Sequence, residues 1–212
     1  MTVRTLQVIV VISVLYVSAQ IFADITSLRI LLIAGLSIDG GTLIYPFTFT
    51  LRDMVHKVAG ASIARTLIII AAVINLLMAI LFWIVSNLPA DINEVGPQEE
   101  FGMVLAPVFR IVLASIIAEV VSEFIDTEVY EQWIQRIGHN KQWGRVLASN
   151  AVSVPIDSAL FVLIAWWGEL PTEVIFSLFI ANVLVKGAVT LISIPGIYLV
   201  KDNRKAWESN IA

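Results

Sequence analysis

Six ionisable side chains fall inside stretches that are otherwise apolar: Asp39, Arg110, Glu119, Glu123, Asp157 and Lys186. A charge at the bilayer centre costs roughly 2.5–3.5 kcal/mol on insertion scales. Such groups persist where they pair, meet water or hold a substrate. Counted at about 1.5 Å of rise per residue, Asp39, Arg110, Asp157 and Lys186 each lie roughly 12–18 Å from a membrane face. Two acids and two bases near one level describe a midplane polar pocket. The plainer reading is a network of structural ion pairs.

Helical phase sorts these groups. At about 100° per residue, Ser149, Ser153 and Asp157 share one face, and Asn182, Lys186 and Ser193 share another. Ser115, Glu119, Ser122 and Asp126 form a third, with Glu123 at its edge. Arg110 points roughly opposite to Glu119, so one straight helix cannot aim both into one cavity. Either the helix is distorted near Pro107, or Arg110 has another partner; Asp157 and Lys186 are candidates to pair with it or with each other. Glu123 and Asp126 lie near the inner end, where they simply meet water.

One stretch breaks its own apolar surroundings. Asp39-Gly-Gly-Thr-Leu-Ile-Tyr-Pro-Phe-Thr-Phe carries a charge, two glycines and a proline, with Tyr45, Phe47 and Phe49 as rings. Glycine and proline disfavour a regular helix. A broken helix at membrane depth is tolerated where protein or a cavity satisfies the freed backbone groups, and in transporters such breaks mark substrate sites. The alternative is a proline kink with a buried Asp that only holds helices together.

The elements that must position these residues are membrane helices. The chain of 212 residues is 58% hydrophobic, with a mean hydropathy of +0.90, well above the 45–50% apolar of soluble domains. One domain of six helices is expected, at about 6–23, 28–51, 66–85, 101–125, 146–167 and 174–200, the second broken at Gly40-Gly41 and Pro46. Val17-Ser18-Ala19 resembles a signal-peptidase site, but the first run is long for a signal peptide and is kept as helix 1. Asn75, alone in an apolar helix, is expected to bond a neighbouring helix. Glu128 to Ile137 is amphipathic and reads either as an interfacial segment or as a helical loop.

With the N-terminus inside, ten Lys and Arg fall in inner segments and Arg29 alone outside. The positive-inside rule then puts both termini in the cytoplasm. No cysteine is present, and the two histidines are far apart; thiolate chemistry, Cys-based zinc sites and a His-rich metal site are set aside. There is no phosphate loop, so the chain does not drive transport with ATP by itself. No cofactor and no nucleic-acid partner are expected. An intramembrane enzyme finds little support, because His56 and His139 sit in loops away from Ser149 and Ser153. A purely structural role is opposed by four ionisable groups near one level.

The pattern Gly40-Gly41-Thr-Leu-x-Tyr45-Pro46-Phe47-Thr-Phe-x-x-x-Asp53, followed by Gly60 and Arg65, resembles the queuosine-precursor transporter family, also called the vitamin uptake transporter family. The later residues agree: Arg110-Ile-x-x-Ala-Ser115, then Ala118, Ser122 and Asp126; Arg145, Ser149, Ser153, Asp157 and Phe161; Gly168, Lys186 and Pro195. The resemblance spans about residues 28–200. Lys57 and Ala59 depart from the family's Asp-x-x-x-Glu-x-Tyr-Gly pattern, and Glu123 stands where Gln is frequent.

The resemblance implies a six-helix bundle of the bacterial inner membrane, similar in fold to substrate-binding subunits of energy-coupling-factor importers. It implies uptake of 7-cyano-7-deazaguanine, 7-aminomethyl-7-deazaguanine or queuine. Acids can accept from a guanine-like N–H pair, and rings can stack on the base. On this reading Asp39, Tyr45, Phe47, Arg110, Glu119, Asp157 and Lys186 form the substrate site. Transport is secondary or facilitated, with Glu119 and Asp157 as candidates for proton coupling. The other reading is a vitamin-binding or nucleobase-binding subunit that needs a separate energising partner with ATPases.

Overall fold

The computed structural model describes residues 3–137 and 142–199. His139, Lys141 and the basic run from Lys201 to Lys205 lie outside the described residues. So do the side chains of Lys57, Glu123, Asp126, Arg145 and Ser193.

The described chain is helical apart from one short hairpin and the connecting loops, the longest at 88–98. Helix α1 covers Val3–Thr26. Strands β1 (Ile30–Ile33) and β2 (Leu36–Asp39) pair antiparallel, and a 3₁₀ turn runs over Gly40–Leu43. Helices α2 (Pro46–Asn87), α3 (Glu99–Leu105), α4 (Val108–Ile137), α5 (Gln142–Trp166) and α6 (Thr172–Leu199) follow. Among the described residues, five helical stretches are long and apolar enough to cross a membrane: Thr5–Thr26, Ser62–Asn87, Glu99–Ser122, Leu147–Trp166 and Thr172–Ile192.

The expected second helix over 28–51 is corrected. Its first half is the β-hairpin. Ala34 and Gly35 take positive φ (51° and 83°), the pair of left-handed residues that a tight two-residue hairpin turn requires. β-branched Ile30, Ile33 and Ile38 favour the strands. Asp39 then caps the 3₁₀ turn by accepting from the Thr42 amide at 3.0 Å. Pro46 opens α2 at a first-turn position, where its missing N–H costs nothing.

Helix α2 is 42 residues long, about 63 Å if straight. It does not run straight, because Gly60 (φ 84°, ψ 171°) interrupts it and leaves arms 46–59 and 61–87. The expected helix 4 is likewise split, into α3 and α4 around Pro107. The segment 128–137 continues α4, with Val129 and Trp133 half-buried.

Small residues bring the helices together, as in other membrane bundles. Ala59, Ala64 and Ala71 of α2 pack with Ile12 and Tyr16 of α1. Ala114 and Ala118 of α4 pack with Val162 and Ala165 of α5 and Leu178 of α6. Large apolar side chains such as Ile69, Leu77, Leu81 and Ile192 face outward, as a lipid-facing surface demands. The interior instead holds the polar groups: Gln20, Asp24, Asp39, Asn75, Glu119, Asp157, Asn182 and Lys186 are all buried.

Candidate functional site

Several of these polar groups surround a cavity whose empty space, open solvent included, is about 310 Å³. Its wall takes Ala23 and Asp24 from α1, Ser27, Asp39 from β2, then Gly41, Thr42 and Tyr45. The opposite wall takes Ser115 and Ala118 from α4, Asp157 and Phe161 from α5, and Asn182 and Lys186 from α6.

Close backbone approach builds the first wall. A Cβ on Gly41 would lie 2.5 Å from the Ala23 carbonyl oxygen, and one on Gly40 would lie 2.5 Å from that of Thr26. Only glycine lets the turn sit so tightly on the end of α1. The turn is then tied across the molecule. Asp39 Oδ1 accepts from Ser27 Oγ (3.0 Å) and the Thr42 amide (3.0 Å). Its Oδ2 accepts from Thr42 Oγ1 (2.6 Å) and Asn182 Nδ2 (3.0 Å). Asn182 gives its other amide hydrogen to the Leu178 carbonyl at 3.0 Å.

The second wall carries a buried ion pair. Lys186 Nζ donates to Asp157 Oδ2 at 2.6 Å, and Ser122 Oγ lies 3.3 Å from Asp157 Oδ1. The ammonium also sits 5.1 Å from the centroid of the Tyr45 ring and 6.0 Å from that of Phe161, within the range of cation–π attraction. Beside the cavity, a chain of donors crosses three helices. Asn75 Nδ2 donates to Gln20 Oε1 (3.2 Å), Gln20 Nε2 to Tyr16 Oη (2.8 Å), and Tyr16 Oη to Glu119 Oε1 (3.1 Å). Asn75 thus bonds a neighbouring helix as expected.

Residues 39–200 match the family described as "Putative vitamin uptake transporter". The chain belongs to the vitamin uptake transporter family. A protein of Bacillus subtilis (strain 168) named "Probable queuosine precursor transporter" is 29% identical over 190 residues, which is 86% of this chain and 80% of that protein. No solved structure matches. With five apolar helices of crossing length and this membership, the protein is a multi-pass membrane transporter.

This vitamin uptake transporter brings four of the seven expected site residues, Asp39, Tyr45, Asp157 and Lys186, to one cavity. Glu119 is buried one helical position from the cavity wall at Ala118. Phe47 is 55% exposed on the outside of α2. Arg110 also lies elsewhere. Its Nε donates to the Ile164 carbonyl (2.8 Å), Nη2 to the Trp167 carbonyl (2.5 Å) and Nη1 to Glu169 (2.8 Å). Of the two pairings left open, Asp157 and Lys186 with Arg110 or with each other, the structure takes the second. Arg110 clamps the C-terminal end of α5, while the acid and the lysine pair with each other.

Asp24 is a wall residue that the sequence reading passed over. Ending helix 1 at residue 23 left Asp24 in a loop, whereas α1 continues to Thr26. The available signal was spacing: Tyr16, Gln20 and Asp24 stand at i, i+4 and i+8, and all three are buried.

Proposed function

We propose that the protein imports a queuosine precursor, 7-cyano-7-deazaguanine, 7-aminomethyl-7-deazaguanine or queuine, across the bacterial inner membrane. The observation that carries this reading is the cavity itself. It places carboxylates, which accept N–H donors, beside the Tyr45 and Phe161 rings. A planar base with a donor-rich edge and two aromatic faces suits that mixture. The name of the Bacillus subtilis relative points the same way.

The transport path needs a complete bundle, and we take the segment 40–59 as its sixth crossing. Gly41 abuts Ala23 and Ser27 at the C-terminal end of α1, and Val55 and Ala59 share a core with Ile12 and Tyr16 near its middle. The segment enters the bundle beside the C-terminal half of α1, and the arm 46–59 carries it inward. Six crossings put both termini on the cytoplasmic side, in accord with the basic residues. Transport is secondary or facilitated, and where a proton couples it Glu119 and Asp157 are the candidates to carry it.

The test uses a cell that neither makes nor imports queuosine precursors. Each precursor is supplied at low external concentration, and queuosine in transfer RNA is scored. Rescue that is lost on Asp157→Asn or Lys186→Gln, at equal protein level, supports the importer. No rescue by any precursor, from protein shown to reach the membrane, overturns the substrate assignment. Rescue that requires a co-expressed ATPase module moves the protein to the binding-subunit reading. Uptake that ignores collapse of the proton gradient removes Glu119 and Asp157 from coupling.

A further inference from the structure

The cavity's acceptors are not equally available. An ionised carboxylate offers about four lone-pair positions. Asp39 has four donors on it: Ser27, the Thr42 amide, the Thr42 hydroxyl and Asn182. Both amide hydrogens of Asn182 are given away. Asp157 takes Lys186 and Ser122, and the ammonium balances its charge. Asp24 differs from all of these. It is 3% exposed, lines the cavity, and accepts one hydrogen bond, from Ser115 Oγ at 3.1 Å. No ion pair among the described residues reaches it.

Its position sharpens the imbalance. Asp24 lies in the last turn of α1, which ends at Thr26. The C-terminus of a helix carries partial negative charge, so the local field disfavours a second negative group there. A buried carboxylate in that setting is retained where a donor arrives to meet it. The protein supplies one donor and leaves the rest of the carboxylate facing the cavity.

We propose that Asp24 anchors the substrate by accepting two adjacent N–H donors from a 2-amino-4-oxo-pyrimidine edge. Asp39 holds the wall, the Asp157–Lys186 pair forms the opposite side, and Asp24 reads the base. A site built to meet an N–H pair rejects the analogue that lacks one of them, because a buried acceptor is then left unmatched. Asp24 therefore sets the preference for guanine-like over hypoxanthine-like bases. The inference rests on the importer reading for the choice of 7-deazapurines, but its test separates the two.

The experiment is direct binding to the purified full-length protein in detergent, by titration calorimetry. The ligands are 7-cyano-7-deazaguanine, guanine and pterin, each beside its counterpart without the 2-amino group. Wild type should bind a 2-amino ligand on the order of 10- to 100-fold more tightly than its counterpart. Asp24→Asn should reduce that preference to within about threefold. Asp24→Glu, which keeps the charge, should retain the preference at lower affinity.

Equal preference in wild type and Asp24→Asn overturns the anchor while leaving the importer intact. Binding of guanine or pterin alone, with preference lost in Asp24→Asn, overturns the 7-deazapurine assignment and upholds the anchor. No binding of any 2-amino ligand overturns both. A second measurement does not depend on the variant folding. A hydrophobic carbodiimide should label Asp24 in wild type, and bound 2-amino ligand should block the label, as read by mass spectrometry. Labelling unchanged by ligand overturns the anchor.

Discussion

Lys186 Nζ lies 2.6 Å from Asp157 Oδ2, and both side chains are almost wholly buried, at 2% and 3% exposure. The pair joins α6 to α5 across the cavity wall. Neither charge has bulk water to stabilise it, so each depends on the other. Removing one partner of a buried pair costs about 3–5 kcal/mol, because an uncompensated charge remains.

Lys186→Met and Asp157→Asn are therefore each expected to lower the thermal unfolding midpoint of the detergent-purified protein substantially. The double variant should be less destabilised than the sum of the singles by roughly 2–3 kcal/mol. A thermodynamic cycle of the four proteins checks this. Additive single effects would show that the two groups do not act as a pair.

Gly41 and Gly187 make contrasting tests of packing. Gly41→Ala pushes a methyl to 2.5 Å from the Ala23 carbonyl oxygen, so the turn and α1 must separate, at a cost of about 1–3 kcal/mol. Gly187 lies within α6, and a Cβ there meets nothing within 4 Å. Gly187→Ala should be neutral or stabilising by up to about 1 kcal/mol, from the helix propensity of alanine. Comparing unfolding midpoints decides; a Gly41→Ala protein as stable as wild type contradicts the close approach.

Gly60 breaks α2 with φ 84° and ψ 171°, a conformation open essentially to glycine alone. Gly60→Ala meets no steric neighbour within 4 Å, so its effect isolates the backbone term, about 1–3 kcal/mol of destabilisation. The monodisperse yield after solubilisation should fall with the midpoint. An unchanged midpoint would mean that the two arms of α2 do not need this break.

Arg110 and Glu169 separate charge from capping. Their ion pair is exposed (39% and 63%) and is screened by water, so Glu169→Gln should change stability by no more than about 0.5 kcal/mol. Arg110→Ala also strips donors from the Ile164 and Trp167 carbonyls and should cost about 1–2 kcal/mol. Lysine cannot reproduce the planar fork, so Arg110→Lys should behave like Arg110→Ala. Uptake per folded molecule should stay near wild type in all three variants. A specific loss of uptake in Arg110→Ala would return Arg110 to the substrate path.

Much of the arrangement was legible before any coordinates. Long apolar runs marked four of the five helical stretches of crossing length almost to their ends, and only the break at Pro107 divided the other. The faces bearing Ser149, Ser153 and Asp157, and Asn182 with Lys186, are buried as their spacing requires. Cavity residues Asp39, Tyr45, Asp157 and Lys186 stood out because a charge or a helix break inside an apolar run is costly wherever it occurs. That cost is local and can be read residue by residue.

The hairpin, the partners and the free acceptor belong to the tertiary structure. Residues 30–39 are apolar enough for a helix, and the strand pairing is selected by the Ala34-Gly35 turn and by docking on α6, where the Ser37 amide donates to Ser177 Oγ at 2.7 Å. Arg110 could have met any acid at its depth; the termination of α5 at Trp166 put unsatisfied carbonyls within its reach instead. Asp24 looked like a loop acid until α1 continued to Thr26 and Ser115 of α4 met it. Residue types and their order are enough to say which groups are expensive to bury. Which of those costs are met within the protein, and which are left for a ligand, depends on distances between helices that no linear spacing contains.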